Sequence, residues 1–173
     1  AGLITDMRTD ALRISDQALE QARAFLEATY GKDHLTPEPR TFKNKKKSQD
    51  AHEAIRPTHP EYTPASVEQF LDKDQFRLYQ LIWQRFMATQ MADARYDRTK
   101  VTINAGEYGF RASVSRCTFE GFLKVMPLPP LSDESAVLPE LKQGQTLHLH
   151  TTLPEPHHTE PPKRFSEASL IKE

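Results

Sequence analysis

Three clusters of residues in this chain have types and spacings suited to chemistry. The first is Gly2-Leu3-Ile4-Thr5-Asp6-Met7-Arg8-Thr9-Asp10-Ala11, an apolar run that breaks into a dense polar group with Asp6, Arg8 and Asp10 at i, i+2 and i+4. In an extended chain all three share a face; in a helix Asp6 and Asp10 stack and Arg8 leaves them. Either way a guanidinium sits beside two carboxylates, an arrangement that suits a salt-bridge knot, a phosphate site or a solvated turn before a helix. The second cluster is Arg40, Lys43, Lys45, Lys46 and Lys47, five positive charges in eight residues with no acid between them. Such a run is either a solvated loop or a segment that tracks phosphates and loses affinity steeply as salt rises. The third is Asp50-Ala51-His52-Glu53-Ala54-Ile55-Arg56-Pro57. It has the form of a capping box opening a short helix that Pro57 stops, with His52 and Arg56 four apart on one face. A fourth group, His148, His150, His157 and His158, lacks a cysteine or carboxylate at ligand spacing, so no metal site is expected there.

The elements that position these clusters follow from periodicity. Ser15 caps a helix whose apolar stripe is Leu19, Ala22, Phe25 and Leu26, with Glu20, Gln21, Arg23 and Glu27 exposed and Gly31 closing it. Thr63-Pro64 opens a second helix as N-cap and first residue, running to about Leu71. Asp74 caps a longer one with Phe76, Tyr79, Ile82, Trp83, Phe86 and Met87 on one side. That aromatic side is either core or a base-stacking platform, and its helical period favours core. After about Asp93 the period changes to two: Val101 and Ile103, a turn at Gly106-Glu107, then Phe110, Ala112 and Val114. Further strands are expected over Phe119 to Met126 and Leu147 to Thr152, and a helix start at Ser166-Glu167-Ala168-Ser169. The fold class is therefore α+β, a helical domain followed by a small antiparallel β-rich unit.

The first cluster resembles the active-site motif of bacterial type IA DNA topoisomerases, G-L-I-T-Y-M-R-T-D-S, departing from it only at Asp6, where the tyrosine belongs, and at Ala11, where serine is usual. Gln49 to Thr58 resembles the family signature Q-[DE]-A-H-E-A-I-R-P-[ST]. Pro161 to Lys172 is similar to P-P-x-R-[FY]-[ST]-E-A-S-L-[IV]-K. The three motifs lie in family order along the whole chain. The resemblance implies a helical active-site domain over 1–93, part of a β-rich gate or arch domain over 94–164, and the start of a following helical domain over 165–173. It also implies that the chain is a central fragment. The family's magnesium-binding domain would precede it, so no cofactor is expected in the fragment itself.

In this family a tyrosine oxygen attacks a phosphodiester of single-stranded DNA, forming a 5′-phosphotyrosyl bond through which negatively supercoiled DNA is relaxed by strand passage. Arg8 matches the arginine beside the tyrosine and suits binding of the scissile phosphate, since a guanidinium stays charged and offers two donors in parallel. Asp10 and His52 match residues that orient the site and transfer protons or contact phosphate, so His52 is also an expected DNA contact; histidine as a residue type suits such a role. Arg56 and Lys43, Lys45, Lys46 and Lys47 are expected DNA contacts. Asp6 is a poor substitute nucleophile: its oxygen falls short of a phenol's reach, its charge repels phosphate, and an acyl phosphate would hydrolyse. The fragment itself is thus expected to be inactive, and the alternative is a single-stranded DNA-binding or structural gate module. Expected partners are single-stranded DNA and the remaining domains of the same polypeptide, in a cytoplasmic, nucleoid-associated setting and with no membrane.

Composition agrees with a globular chain. Of 173 residues, 37% are hydrophobic and 27% charged, and no apolar run approaches the ~20 residues of a membrane span. The single Cys117 excludes an internal disulfide framework. A net charge of −1 offers no global attraction to nucleic acid, so DNA binding must come from a local patch.

Overall fold

The computed structural model describes residues 2–7, 9, 11–42, 52–130 and 137–171. Contacts divide the chain into two units, Ala1–Leu138 and Pro139–Glu173.

The first unit is built on two helices. Helix α1, Asp16–Tyr30, starts where Ser15 accepts a hydrogen bond from the Ala18 N–H at 3.4 Å. It ends at Gly31, whose φ of 86° lets its N–H reach the Glu27 carbonyl at 3.0 Å. Leu19, Ala22 and Leu26 are buried, as the spacing predicts, together with Ala18, while Phe25 is half-buried. Arg23 differs from expectation. It is half-buried and turned inward, donating to Thr36 Oγ1 at 2.9 Å and to the Thr36 carbonyl at 2.8 Å. A long side chain with five donors can leave the solvent face when a buried carbonyl needs a partner.

Helix α2, Pro64–Val67, is capped by Thr63 and continues as a 3₁₀ turn over Glu68–Phe70. Helix α3, Lys73–Thr89, is capped by Asp72 rather than Asp74, because Gln75 at the third position completes a capping box. Asp72 Oδ1 accepts from the Asp74 and Gln75 N–H groups at 3.0 and 2.9 Å, and Gln75 Oε1 accepts from the Asp72 N–H at 3.3 Å. The aromatic side of α3 is core. Tyr79, Trp83, Phe86 and Met87 are buried together with Ala22, Leu26, Leu35 and Met91. Phe25 meets Trp83 edge to face at 6.1 Å, Trp83 Nε1 donates to the Pro60 carbonyl at 2.9 Å, and the Tyr79 hydroxyl donates to the Tyr62 carbonyl. Burial first, and the charge of Glu61 second, push the Tyr79 phenol up to about 12, so it serves as a donor rather than a nucleophile.

An antiparallel ribbon follows, β1 (Arg95–Ala105) and β2 (Tyr108–Phe119), longer than its apolar alternation suggested. Gly106, with φ 62°, and Glu107 form the two-residue turn. At its base Phe119 stacks on His34 at 4.8 Å and lies under the Arg95 guanidinium at 4.8 Å, joining the ribbon to the helical core.

The strand expected over Phe119 to Met126 is instead the end of β2 followed by a 3₁₀ turn, Gly121–Lys124. Gly121 turns the chain with φ 52° and packs so closely that a Cβ would lie 2.7 Å from the Asp93 carbonyl. The strand expected over Leu147 to Thr152 is also not formed. In the second unit these residues are exposed, Leu149 by 72%, and no neighbouring strand among the described residues pairs with them. Alternation alone does not make a strand without an edge to bond. The expected helix start is present as α4, Glu167–Leu170, with Ser166 accepting from the Ser169 N–H at 3.3 Å. Among the described residues no helix is long and apolar enough to cross a membrane.

Candidate active-site strand and its partner

The chain folds so that the first and third clusters run beside each other. Ile4 and Pro57 form an antiparallel bridge. Around it the Thr5 N–H donates to the Arg56 carbonyl at 2.9 Å and the Thr58 N–H to the Leu3 carbonyl at 3.0 Å. The Thr58 hydroxyl donates to the Gly2 carbonyl at 2.9 Å. Thr5 adds a cross-link of its own: its hydroxyl donates to the Ala54 carbonyl at 3.0 Å and accepts from the Arg56 N–H at 3.0 Å. Further along, the Ala54 N–H donates to the Arg13 carbonyl at 2.8 Å. A segment that reads as loop on both sides is thus pinned at 2–5, 13 and 54–58.

Of the short helix expected over Asp50 to Arg56, Asp50 and Ala51 lie outside the described residues, and over 52–56 the pairing overturns it. Residues 52–58 are irregular and extended, so His52 and Arg56 do not share a helical face. The backbone groups a helix would use internally are bonded instead to residues 2–5 and 13, and Pro57 offers no N–H to continue a helical ladder.

Arg56 is directed inward. Its Nε and Nη2 donate to Glu53 Oε2 at 3.0 and 2.8 Å and its Nη1 to the Pro57 carbonyl at 3.1 Å, with the side chain 15% exposed. Burial on its own raises the Glu53 pKa. Hydrogen bonds from Arg56 and Ser15 and the charges of Arg56 and Arg13 outweigh it, and the net pKa lies below the ordinary carboxylate value. Glu53 was not among the residues singled out from the sequence, although its i, i+3 spacing to Arg56 was there to be seen. Thr5 was also missed, and nothing in a sequence distinguishes a cross-linking threonine from a solvated one.

Asp6 follows Thr5 directly and is exposed, as are Met7 and Thr9, whereas Ala11 is buried at 4%. His52 is half-buried with its Nδ1 shielded from solvent. Arg8, Asp10, Lys43, Lys45, Lys46 and Lys47 lie outside the described residues. The approach to the basic run is anchored. Gln90, fully buried, accepts from the Arg40 N–H at 3.1 Å and donates to the Arg40 carbonyl at 3.0 Å. Arg40 Nη2 lies 2.8 Å from Asp93 Oδ1. Among the described residues no three His, Cys, Asp or Glu side chains converge to hold a metal ion.

A family model for DNA topoisomerase matches residues 1–173. The chain belongs to the type IA DNA topoisomerases. It is 44% identical to DNA topoisomerase 1 of Pasteurella multocida over 173 residues, which are all of this chain and 20% of that relative. It is 42% identical to DNA topoisomerase 1 of Escherichia coli K12, with the same coverage. Full-length topoisomerase I from Thermotoga maritima superposes with a TM-score of 0.62 at 36% identity, over 76% of this chain and 20% of that structure. This topoisomerase chain therefore spans about a fifth of the length of these relatives. Two of the three family-like motifs, those around Asp6 and His52, are the pair of segments bonded through Thr5.

Proposed function

We propose that this chain is the active-site and adjoining gate region of a bacterial type IA topoisomerase, an isomerase that relaxes negatively supercoiled DNA by transient cleavage of one strand through a 5′-phosphotyrosyl intermediate. The observation that carries the reading is the pairing of residues 2–5 with 54–58. It fixes the backbone on which residue 6 stands beside the segment that bears His52. In this reading Arg8 binds the scissile phosphate, Asp10 and His52 orient the site and move protons, and Lys43, Lys45, Lys46 and Lys47 hold single-stranded DNA. Arg56, bonded to Glu53, acts mainly by fixing the segment. The division into a helical active-site domain over 1–93, a gate part over 94–164 and the start of a further helical domain over 165–173 belongs to the same proposal. So does a cytoplasmic, nucleoid-associated setting. The same proposal assigns magnesium, where the family uses it, to another domain of the polypeptide.

Asp6 makes this chain itself a non-cleaving one. Its carboxylate is too short to reach where a phenolic oxygen would be, and attack by it would give a hydrolysable acyl phosphate. Covalent catalysis by a tyrosine requires a nucleophile that attacks a phosphate already held by positive groups. In this reading the chain keeps a DNA-holding role, carried by Arg8 and the lysine run rather than by residue 6.

The test is a covalent-adduct assay with end-labelled single-stranded DNA. The chain as it stands should give no protein-linked DNA. Asp6→Tyr, placed in a polypeptide with the metal-binding domain restored, should give a 5′-linked adduct. An adduct formed with Asp6 present, or none after tyrosine is restored, would refute the reading.

A further inference from the structure

One face of the ribbon repeats a simple pattern over three successive cross-strand pairs. Arg98 stands opposite Ser115, Lys100 opposite Ser113, and Thr102 opposite Arg111. Residues two apart on a strand share a face, so each of these rungs presents one cation and one hydroxyl on the same side. No carboxylate stands on the three rungs, and Asp97 falls on the opposite face, across from Arg116. Arg98, Lys100 and Arg111 are exposed, and none forms an ion pair among the described residues. An open depression of about 480 Å³ on the ribbon is lined by Arg98, Lys100, Thr102, Arg111 and Ser113 together with Val101 and Ala112. The concentration of charge is local, since the chain as a whole carries −1.

We propose that this ribbon face binds the phosphodiester backbone of a single DNA strand, one phosphate to a rung, at a site separate from the nucleophile position. Charge complementarity selects a polyanion. Rungs ~7 Å apart match the interval at which an extended strand presents its phosphates; each rung supplies a cation, and the exposed Thr102 and Ser113 hydroxyls add a neutral donor on two of them. The three rungs carry no aromatic side chain to stack a base. The site therefore reads the backbone and is indifferent to sequence. It does not depend on what occupies residue 6.

The experiment measures binding of an oligothymidylate to the whole chain by fluorescence anisotropy as salt is raised, for the wild type and for R98Q/K100Q/R111Q. Each phosphate contact on a single strand contributes about −0.7 to the log–log salt slope, so the triple variant should be flatter by ~2. Across a tripling of salt the wild type should lose ~10-fold more affinity than the variant. A control, K73Q/R77Q/R85Q, removes the same charge from exposed positions on α3 and should leave the slope unchanged. An unchanged slope in the ribbon variant overturns the proposal, as does an equal change in the control. A duplex that loses as much affinity as the single strand overturns the choice of strand. Should the triple variant fail to fold, Lys100→Gln gives the same reading with a slope change of ~0.7. Replacing Lys43, Lys45, Lys46 and Lys47 tests the proposed active-site contacts separately, so either site can fail alone.

Discussion

Thr5→Val isolates the cross-link that joins the two motifs. Valine keeps the shape of threonine and removes the hydroxyl that donates to the Ala54 carbonyl and accepts from the Arg56 N–H, each at 3.0 Å. A typical hydrogen bond contributes about 0.5–1.5 kcal/mol net, and a buried N–H left without an acceptor costs ~1–3 kcal/mol. Thr5, Ala54 and Arg56 are half-buried, so water recovers part of the loss. The expected destabilisation is about 2 kcal/mol. In urea this should lower the midpoint by ~1 M at unchanged m, given an m of about 2 kcal/mol/M. Amide exchange should locate the effect. The Arg56 N–H, which loses its acceptor, should exchange faster, while the Trp83 indole N–H, bonded to the Pro60 carbonyl, should not. Thr58→Val is the counterpart, removing an exposed hydroxyl bond to Gly2, and should cost under about 0.5 kcal/mol. Equal midpoints for Thr5→Val and the wild type, or unaltered exchange at Arg56, would refute the assignment of Thr5 as the cross-link.

Further outcomes follow from the same geometry. The folded pKa of Glu53 lies below its ordinary 4.5, so its contribution is complete above that value and is lost as pH falls through the folded pKa. Glu53→Gln should therefore cost ~1–2 kcal/mol at neutral pH, measured by urea unfolding, with the gap to wild type closing in acid. Gly121→Ala should cost ~3 kcal/mol or more in thermal unfolding, since φ is 52° and the new Cβ meets the Asp93 carbonyl. Gly106→Ala, at φ 62° with nothing within 4 Å, should cost only about 1–2 kcal/mol. Gln90→Ala should cost about 2–3 kcal/mol and expose the backbone at Arg40 to proteases, because both polar atoms of the buried amide hold that residue.

Local signals were read well from the sequence. Ser15, Gly31 and Thr63-Pro64 mark their helix ends because caps are decided by a few neighbouring residues. The Tyr79–Met87 stripe was core because its period is helical. Errors arose where a distant partner decided the outcome. Asp50 to Arg56 has every local mark of a capped helix, yet residues 2–5 and 13 take its backbone bonds. Leu147 to Thr152 alternates like a strand but has no edge to join among the described residues. The motifs propose the candidate site, whereas the bonds that join their segments, through Thr5 and Glu53, are not visible in a one-dimensional pattern.

The cross-link between motifs also sets an order of events in folding. Thr5 and Ala54 are separated by 49 residues, and Thr58 and Gly2 by 56. The helices and the two-residue hairpin close over far shorter distances, on timescales of about a microsecond, whereas long-range pairings wait for loop closure. Segment 2–5, with Leu3 and Ile4 packed on the helical core, meets a core assembled over as long a reach, Phe25 of α1 lying against Trp83 of α3. It is held there by a single bridge and a few flanking hydrogen bonds rather than by a sheet. With so few bonds holding it, this segment is expected to open more readily than the core, so the Thr5 and Thr58 amides should exchange faster than the Trp83 indole N–H.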